Sequence, residues 1–540
     1  MKKITGLLCL ILAFHSGKGQ SKVFREVNKD IETKIETITQ DNSLVGYLVF
    51  TKLEKISADS FRYKLSFLDE NLNDIGTYSF SNQNLQIQDV AFDNDVLCVG
   101  YLRNDAPQEM KPREFAQKIK KVKSSVYLQF LNLNGQLLND HSEPVNASYS
   151  EYEFIPAKVY FTTIAPVRSF KGSLTTPIRI RNIPGTGFCV TYAESKFVNG
   201  SKISDPNTFL NAGNKQWVRS FDYSGKDLWK KQLPDSKVLY SIALTSASNI
   251  YILRKSLNKE VIAATEGGFD LLSLRASDGH LAKSQKLAGK DGNTLKVLNF
   301  SNEINQNAPI VSGLIVKENI GTVSEKKIAK GQNMGVFTLN AEDSVFTTNM
   351  SYWSKGEYKP QISKKSYLTE ARSYPGLNYA FTDPENNTYF VGTGIKKRVR
   401  WGSIAAAVIT APLLVPPIYI FALGGSVKYR YQDAVILKQD AKGKLSFHAN
   451  LESNNSKKNR FSLSSFKDKS YFTVNQSKNL VLNDEKSIFI YDIPSKTVLK
   501  KIAHKEDGVK TEIFKAKEGH IMIAEYNAND KSTKLSIEAL

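Results

Sequence analysis

Along most of the chain, apolar and polar residues alternate with a period of two, the pattern of strands that bury one face. The clearest runs come in pairs around a short turn rich in Asp, Asn, Gly or Ser. Seven such hairpins can be read. They are Tyr63 to Phe67 with a turn at Asp69 to Asn73, Tyr127 to Leu131 with Asn134-Gly135, Trp217 to Phe221 with Ser224-Gly225, and Phe269 to Leu274 with Asp278-Gly279. The others are Gly335 to Leu339 with Glu342-Asp343, Asp433 to Leu437 with Lys442-Gly443, and Ser487 to Tyr491 with Pro494-Ser495. Asn-Gly and Asp-Gly tolerate the positive φ angles of a two-residue hairpin, so tight two-residue turns are expected here. Between the hairpins lie more continuous apolar runs, such as Val96 to Tyr101, Gly187 to Tyr192, Ile250 to Leu253 and Ile521 to Tyr526. Runs of this kind suit inner strands covered on both faces.

Successive hairpins are spaced by roughly 60 residues, close to a four-stranded propeller blade with long connections. Six units read as complete between Gln86 and His504, while Val45 to Phe80 and Val509 to Leu540 read as partial. The expected fold is therefore all-β, a β-propeller of seven or eight blades, with eight preferred. The two partial ends would join to close the ring and remove an exposed sheet edge. Too few helical patterns separate the strands for a parallel α/β sheet. One helical candidate remains, because Phe24, Val27, Ile31, Ile35 and Ile38 are apolar at spacings of three and four. The reading thus divides the chain into 1–19, an N-terminal segment 20–42 that packs across the ring, and a propeller over 43–540. Asp140 to Thr176 reads as an irregular insertion, and 396–426 as an apolar insertion within one blade.

The run Gly46-Tyr47-Leu48-Val49-Phe50-Thr51-Lys52-Leu53-Glu54-Lys55, followed by Tyr63-Lys64-Leu65 and Leu68-Asp69-Glu70-Asn71-Leu72-Asn73, resembles a family of exported bacterial proteins of unknown function. A propeller fold is what that resemblance implies. It is best in the N-terminal unit and brings no catalytic residue with it.

The first residues change the picture of where the protein works. A basic start, Met1-Lys2-Lys3, precedes an apolar run from Ile4 to Phe14 too short to span a bilayer, which reads as a signal peptide. Gly17 and Gly19 occupy the small-residue positions before Gln20, so cleavage is expected there, and Cys9 has no lipobox before it. The expected location is the periplasm or outer envelope. An apolar fraction of 41% with 11% aromatic residues excludes disorder. Loss of Lys2, Lys3 and Lys18 with the leader lowers the formal charge from +20 to +17, a strongly basic balance in which scattered lysines solvate the outer strands and loops or else meet an anionic partner such as lipid headgroups, acidic glycan or nucleic acid. Cys98 and Cys189 sit at equivalent places in apolar strands of different repeats, so both are expected as buried thiols and not as a disulfide.

Candidate chemistry is sparse. His141, His280, His448, His504 and His520 have no partners at metal-ligand spacing, and no zinc signature, nucleophile elbow or phosphate-binding loop occurs, so neither metal nor cofactor is expected. His280 and His448 follow hairpin turns, where exposed polar residues are expected. Gly185-Thr186-Gly187 and Gly392-Thr393-Gly394 read as sites of close backbone packing. Ser464 and Lys467 match a Ser-x-x-Lys spacing without any companion motif. Carboxylates on different blades could still meet at the channel, so raised carboxylate pKa values there would favour a glycan hydrolase or lyase. Lys428-Tyr429-Arg430-Tyr431 reads as the start of a strand in an exported protein, and no nucleic-acid partner is expected.

The most unusual stretch is Ile404 to Leu423, twenty residues without a charge. Its length matches a membrane span, yet Pro412, Pro416 and Pro417 interrupt a helix, and β units lie on both sides. It falls between Thr388 to Val391 and Tyr431 to Leu437, which read as neighbouring strands of one blade, so it should leave the ring and return. So apolar a loop either packs against the propeller or dips into a bilayer interface, a genuine span being the third fate. Candidates for membrane contact are Trp401, Ile404, Val408, Ile409, Leu413, Leu414, Ile418, Tyr419 and Phe421. Lys396, Lys397, Arg398, Arg400, Lys428 and Arg430 at the two bases would suit anionic headgroups. The leading expectation is a monomeric, non-catalytic envelope module that binds protein, glycan or lipid. The alternatives are the glycan enzyme and a membrane-attached structural component.

Overall fold

The computed structural model describes residues 20–540 except 26–31, 41–42, 58–59, 106–108, 111–122, 146–147, 156–168, 176–177, 195–214, 235–237, 257–268, 288, 290–292, 302–308, 318–332, 343–344, 354–361, 364–365, 400–426, 452–470, 475–477, 484–486 and 505–507. Among the described residues every regular element is a strand. Eight antiparallel four-stranded sheets follow one another along the chain, at 32–82, 84–144, 179–232, 238–287, 294–352, 374–451, 471–503 and 509–539. These are blades 1 to 8. In blades 1 to 7 the strands are paired in chain order. Fourth strands such as Asp74–Asn82 and Leu137–Pro144 alternate between exposed and half-buried residues, and Asp227–Gln232 is almost wholly exposed, so the fourth strands form the rim. The first strands consequently line the centre.

Blade 8 supplies only three strands from the C-terminal end of the chain. Its fourth is Ser21–Arg25, which pairs antiparallel with Ser532–Ala539 from Ser21↔Ser536 to Arg25↔Ser532. The two ends of the chain thus close one ring of eight blades, a β-propeller. Seven hairpins are visible in the sequence because the eighth blade has no covalent link between its third and fourth strands.

The helix expected over Phe24 to Ile38 does not form. Phe24 lies in the closing strand, while Ile35 and Ile38 lie in Glu32–Gln40, the first strand of blade 1. Residues three apart on a strand point to opposite faces. Ile35 accordingly packs between blades 8 and 1, and Ile38 between blades 1 and 2. The β-branched alternation Thr33, Ile35, Thr37 and Thr39 decides for strand. Segment 20–42 therefore belongs to the ring.

Eight buried clusters hold the ring together, and each fills the gap between two neighbouring blades. The period of two makes this possible. Within Val96–Asn104, Leu97 and Val99 face blade 1, while Cys98 and Leu102 face blade 3. Cys189 faces blade 4, so the two cysteines lie in different gaps, both buried and free. Aromatic rings supply much of the blade 1–2 contact: Phe50 stacks on Tyr63 at 5.4 Å and meets Tyr101 at 5.7 Å. Full burial of such a side chain stabilises by about 1.5–3 kcal/mol.

The turns differ from the expected two-residue form. In four of them, Asp69, Asn132 and Asp222 end the third strand and Asp440 directly follows it, and each side-chain Oδ1 accepts the N–H of the residue four further on, at 2.8–2.9 Å. The third residue after each of these, namely Leu72, Gly135, Gly225 and Gly443, has positive φ. The carboxylate or amide tightens a longer turn, and the left-handed residue then restores the register.

Candidate functional site

Antiparallel pairing within every blade gives the ring two unlike ends. First-to-second and third-to-fourth strand connections emerge at one end, and second-to-third and blade-to-blade connections at the other. Neighbouring turns touch at the first, hairpin end: Lys517 Nζ of blade 8 donates to Asn71 Oδ1 of blade 1 at 2.8 Å. No connection there exceeds eight residues. The chain termini also lie there, with the Ile537 N–H donating to the Gln20 carbonyl at 3.0 Å.

Every long connection leaves and re-enters the blades at the opposite end. These are 105–123, 145–178, 195–214, 257–268, 317–332, 353–373, 400–426 and 452–470. Together they contain 27 Lys and Arg against 14 Asp and Glu, a net charge of +13. The expected insertion at Asp140 to Thr176 falls partly among them. It contributes Ser148–Ile155 and Ser169–Thr175 to a small accessory sheet completed by Glu109–Met110.

Blade 6 carries the most distinctive part of this end. Its second and third strands, Thr388–Val399 and Val427–Gln439, are neighbours in one sheet, as the sequence led us to expect. They outrun their flanking strands. Tyr374↔Ile395 is the last pair on one side and Ala434↔Leu451 on the other, whereas the two central strands continue together to Val399↔Val427. A two-stranded ribbon about 13 Å long therefore rises past the sheet. Its register sets Lys396 against Arg430 and Arg398 against Lys428, with Lys397 against Tyr429. Lys396 is half-buried and Lys397 exposed. Arg400 and the apolar candidates Trp401, Ile404, Val408, Ile409, Leu413, Leu414, Ile418, Tyr419 and Phe421 lie outside the described residues.

A second cluster, which the sequence did not reveal, lines the channel on the first strands of blades 1, 2 and 3. Arg181 Nη1 lies 3.0 Å from Asp89 Oδ2, which also accepts the Ile180 N–H at 2.9 Å. Lys34 Nζ lies 3.2 Å from Glu36 Oε1 and donates to the Ile87 carbonyl at 3.2 Å. Burial lowers the pKa of the nearby Arg179 guanidinium, while Asp89 and Glu36 oppose that shift. These five residues come from three blades, and no local motif marks them. Three cations against two carboxylates leave the cluster with one net positive charge, and its contacts tie blade 1 to blade 2 and blade 2 to blade 3.

The carboxylates whose pKa departs from the ordinary range all move downward. In Asp69, Glu143 and Asp222 burial works against hydrogen bonds that prevail, and in Asp278 the Arg275 side chain leads. Such groups stay ionised and make poor general acids. His280 is exposed after its turn, as expected. His448 is not. It is half-buried, edge-on to Tyr389 at 5.1 Å and Tyr491 at 6.4 Å, with its Nε2 shielded from water. Burial, aided by Lys496, pushes its pKa down to about 4. The remaining described histidines serve local contacts: His141 Nε2 lies 2.5 Å from the Gly225 carbonyl and His504 Nε2 2.8 Å from Asn483 Oδ1. Among the described residues no group of three or more His, Cys, Asp or Glu could hold a metal. A Cβ on Gly187 would stand 2.0 Å from the Phe221 carbonyl, one on Gly392 2.1 Å from that of Gly376 and one on Gly394 2.6 Å from Ser373 Oγ, so these three serve close packing, whereas Gly185 has nothing within 4 Å and serves only its turn. Ser464 and Lys467 lie outside the described residues.

The model of a family of unknown function, DUF6770, matches residues 1–125. No curated protein matches the chain. Among solved structures, the Dos1 propeller is similar at 8% identity and a TM-score of 0.44, covering 96% of this chain and 94% of its own. The C-terminal WD40 domain of Sif2 is similar at 11% identity and a TM-score of 0.40, covering 96% and 99%. A polysaccharide lyase of family PL25, an ulvan lyase, is similar at 11% identity and a TM-score of 0.39, covering 84% and 91%.

Proposed function

We propose that this protein is an exported, non-catalytic binding scaffold of the cell envelope, which turns the end bearing its long connections toward an anionic membrane and rests there peripherally. The observation that carries the reading is the concentration of charge. Without the leader the chain carries +17, and the eight long connections with the blade 6 ribbon hold +18, leaving −1 for the remainder. A basic face of this kind is drawn to anionic headgroups over about a Debye length, roughly 10 Å, and weakens as salt rises. The uncharged stretch Ile404 to Leu423 lies in the connection between Val399 and Val427, whose strand ends stand on that face, and would offer apolar area to the bilayer interface. Among the described residues the carboxylates with shifted pKa values move downward, which favours the binding reading over the enzymatic one.

Liposome sedimentation tests the reading. The processed protein should pellet with vesicles rich in phosphatidylglycerol, less with phosphatidylcholine alone, and less again at high salt. Replacement of 401–425 by a short Gly/Ser linker should weaken pelleting while the ring stays folded. Equal pelleting of the two proteins would remove the apolar tether, and absence of binding to anionic vesicles would remove the membrane reading altogether.

A further inference from the structure

We propose that the ribbon arms Lys396 to Val399 and Val427 to Arg430 form a phosphate site that takes the headgroups of anionic phospholipids. This assignment rests on the membrane reading above and gives it a location. Two cross-strand pairs, Lys396↔Arg430 and Arg398↔Lys428, are cation against cation, and positions two apart share one face of a strand. Four cations therefore share one face of a ribbon only two strands wide. Like charges directly opposite on neighbouring strands repel and weaken the pairing. Elsewhere on the molecule several strand cations meet carboxylates: Lys22 meets Asp74, Arg62 meets Glu54, Lys230 meets Glu143, and Lys500 meets Glu538.

The nearest carboxylate along this part of blade 6 is Asp433, whose Oδ2 accepts from Asn450 Nδ2 at 3.0 Å. From Thr388 to Gln432 the sequence contains no Asp or Glu, and Lys396 and Lys397 make no ion pair among the described residues. Cβ atoms of opposed residues stand about 5 Å apart, and those two apart along one strand about 7 Å, spacings that a phosphate with several acceptor oxygens can bridge. A phosphate laid over each pair would turn mutual repulsion into two charge-assisted contacts. The source of that phosphate follows from what joins the arms: residues 401–427 carry no charge, which suits a bilayer and not a soluble anion.

The test is a charge swap. In K428E/R430E both like-charged pairs become opposite-charged pairs, so the ribbon should keep or raise its melting temperature while partitioning into phosphatidylglycerol vesicles falls by roughly tenfold or more. The neutral K428Q/R430Q should show a smaller loss with the fold intact. K457E/K458E makes the same charge change in a different connection of the same end and should lose clearly less. Equal losses in K428E/R430E and K457E/K458E would overturn the ribbon site and leave the basic face standing. A wild-type protein that ignores anionic vesicles would overturn both. Inorganic phosphate at millimolar concentration that stabilises the wild type as strongly as vesicles do, with no effect on K428E/R430E, would overturn the lipid assignment in favour of a soluble anion.

Discussion

Lys22 Nζ lies 2.6 Å from Asp74 Oδ1, so the strand that closes the ring is also tied to the rim strand of blade 1. The pair is exposed on the Asp74 side, where side-chain exposure reaches 65%. An exposed ion pair contributes about 0–1 kcal/mol. Lys22→Ala should therefore cost less than about 1 kcal/mol in denaturant titration. Deletion of Ser21–Arg25 should cost much more, because it bares the edge of Ser532–Ala539 and uncovers the gap in which Phe24 packs. Size-exclusion chromatography should show self-association, and a peptide of residues 20–26 added in trans should reverse it. An unchanged, monomeric deletion variant would contradict the closed ring.

Gly225 and Gly185 separate conformational strain from collision. Both have positive φ, +78° and +73°, but a Cβ on Gly225 would stand 2.6 Å from the Phe130 ring and 2.8 Å from Asn139 Cβ, whereas nothing lies within 4 Å of one on Gly185. Gly185→Ala should cost about 1 kcal/mol, and Gly225→Ala about 2–4 kcal/mol by urea titration. Equal costs would refute the crowding between blades 2 and 3.

Burial pushes both cysteine thiols up, Cys189 to about 12. Only the thiolate reacts rapidly. Native protein at pH 8 should therefore resist a thiol reagent for hours, and denaturant should release both groups at once. Fast labelling, or a mass two daltons low, would show the packing to be wrong.

His448 makes stability depend on pH. Its pKa is about 4 folded against the ordinary 6.5, so between those values the unfolded chain binds a proton that the folded state excludes. Stability present above pH 6.5 is lost as pH falls toward 4 and changes no further below that. With allowance for solvent screening, the loss is about 1–2 kcal/mol. Because carboxylates titrate in the same window, the informative quantity is the difference between wild type and His448→Phe. The variant should lose less on acidification from pH 7 to pH 4.5.

The architecture was legible where the cause is local. A period of two, together with Gly135, Gly225, Gly279 and Gly443, marks hairpins within a few residues of each other, and these fixed blades and rim. Asp69, Asn132, Asp222 and Asp440 were less visible as turn-makers, since Asp and Asn are equally at home in any loop. The strand nature of Phe24 to Ile38 was hidden because Ile35 and Ile38, three apart, fit a helical spacing as well as two strand faces turned to different blades. The channel cluster was beyond the sequence, because Glu36, Asp89 and Arg181 lie on the first strands of three successive blades and meet only through the packing of those blades. The cationic ribbon lay between these cases: its residues were plain, but only the register showed Lys396 opposite Arg430.

The placement of the chain termini at the hairpin end has a geometric consequence. Blade strands that average about eight residues make the ring about 26 Å tall along its axis. Anything joined to Leu540 is held at that stand-off from whatever the opposite end touches. A fluorophore there would sit in water at a fixed height above a bilayer, while one on Lys397 would be at its surface. Quenching by headgroup-labelled lipid would thus read the molecule's orientation directly, the two positions acting as the ends of a ruler.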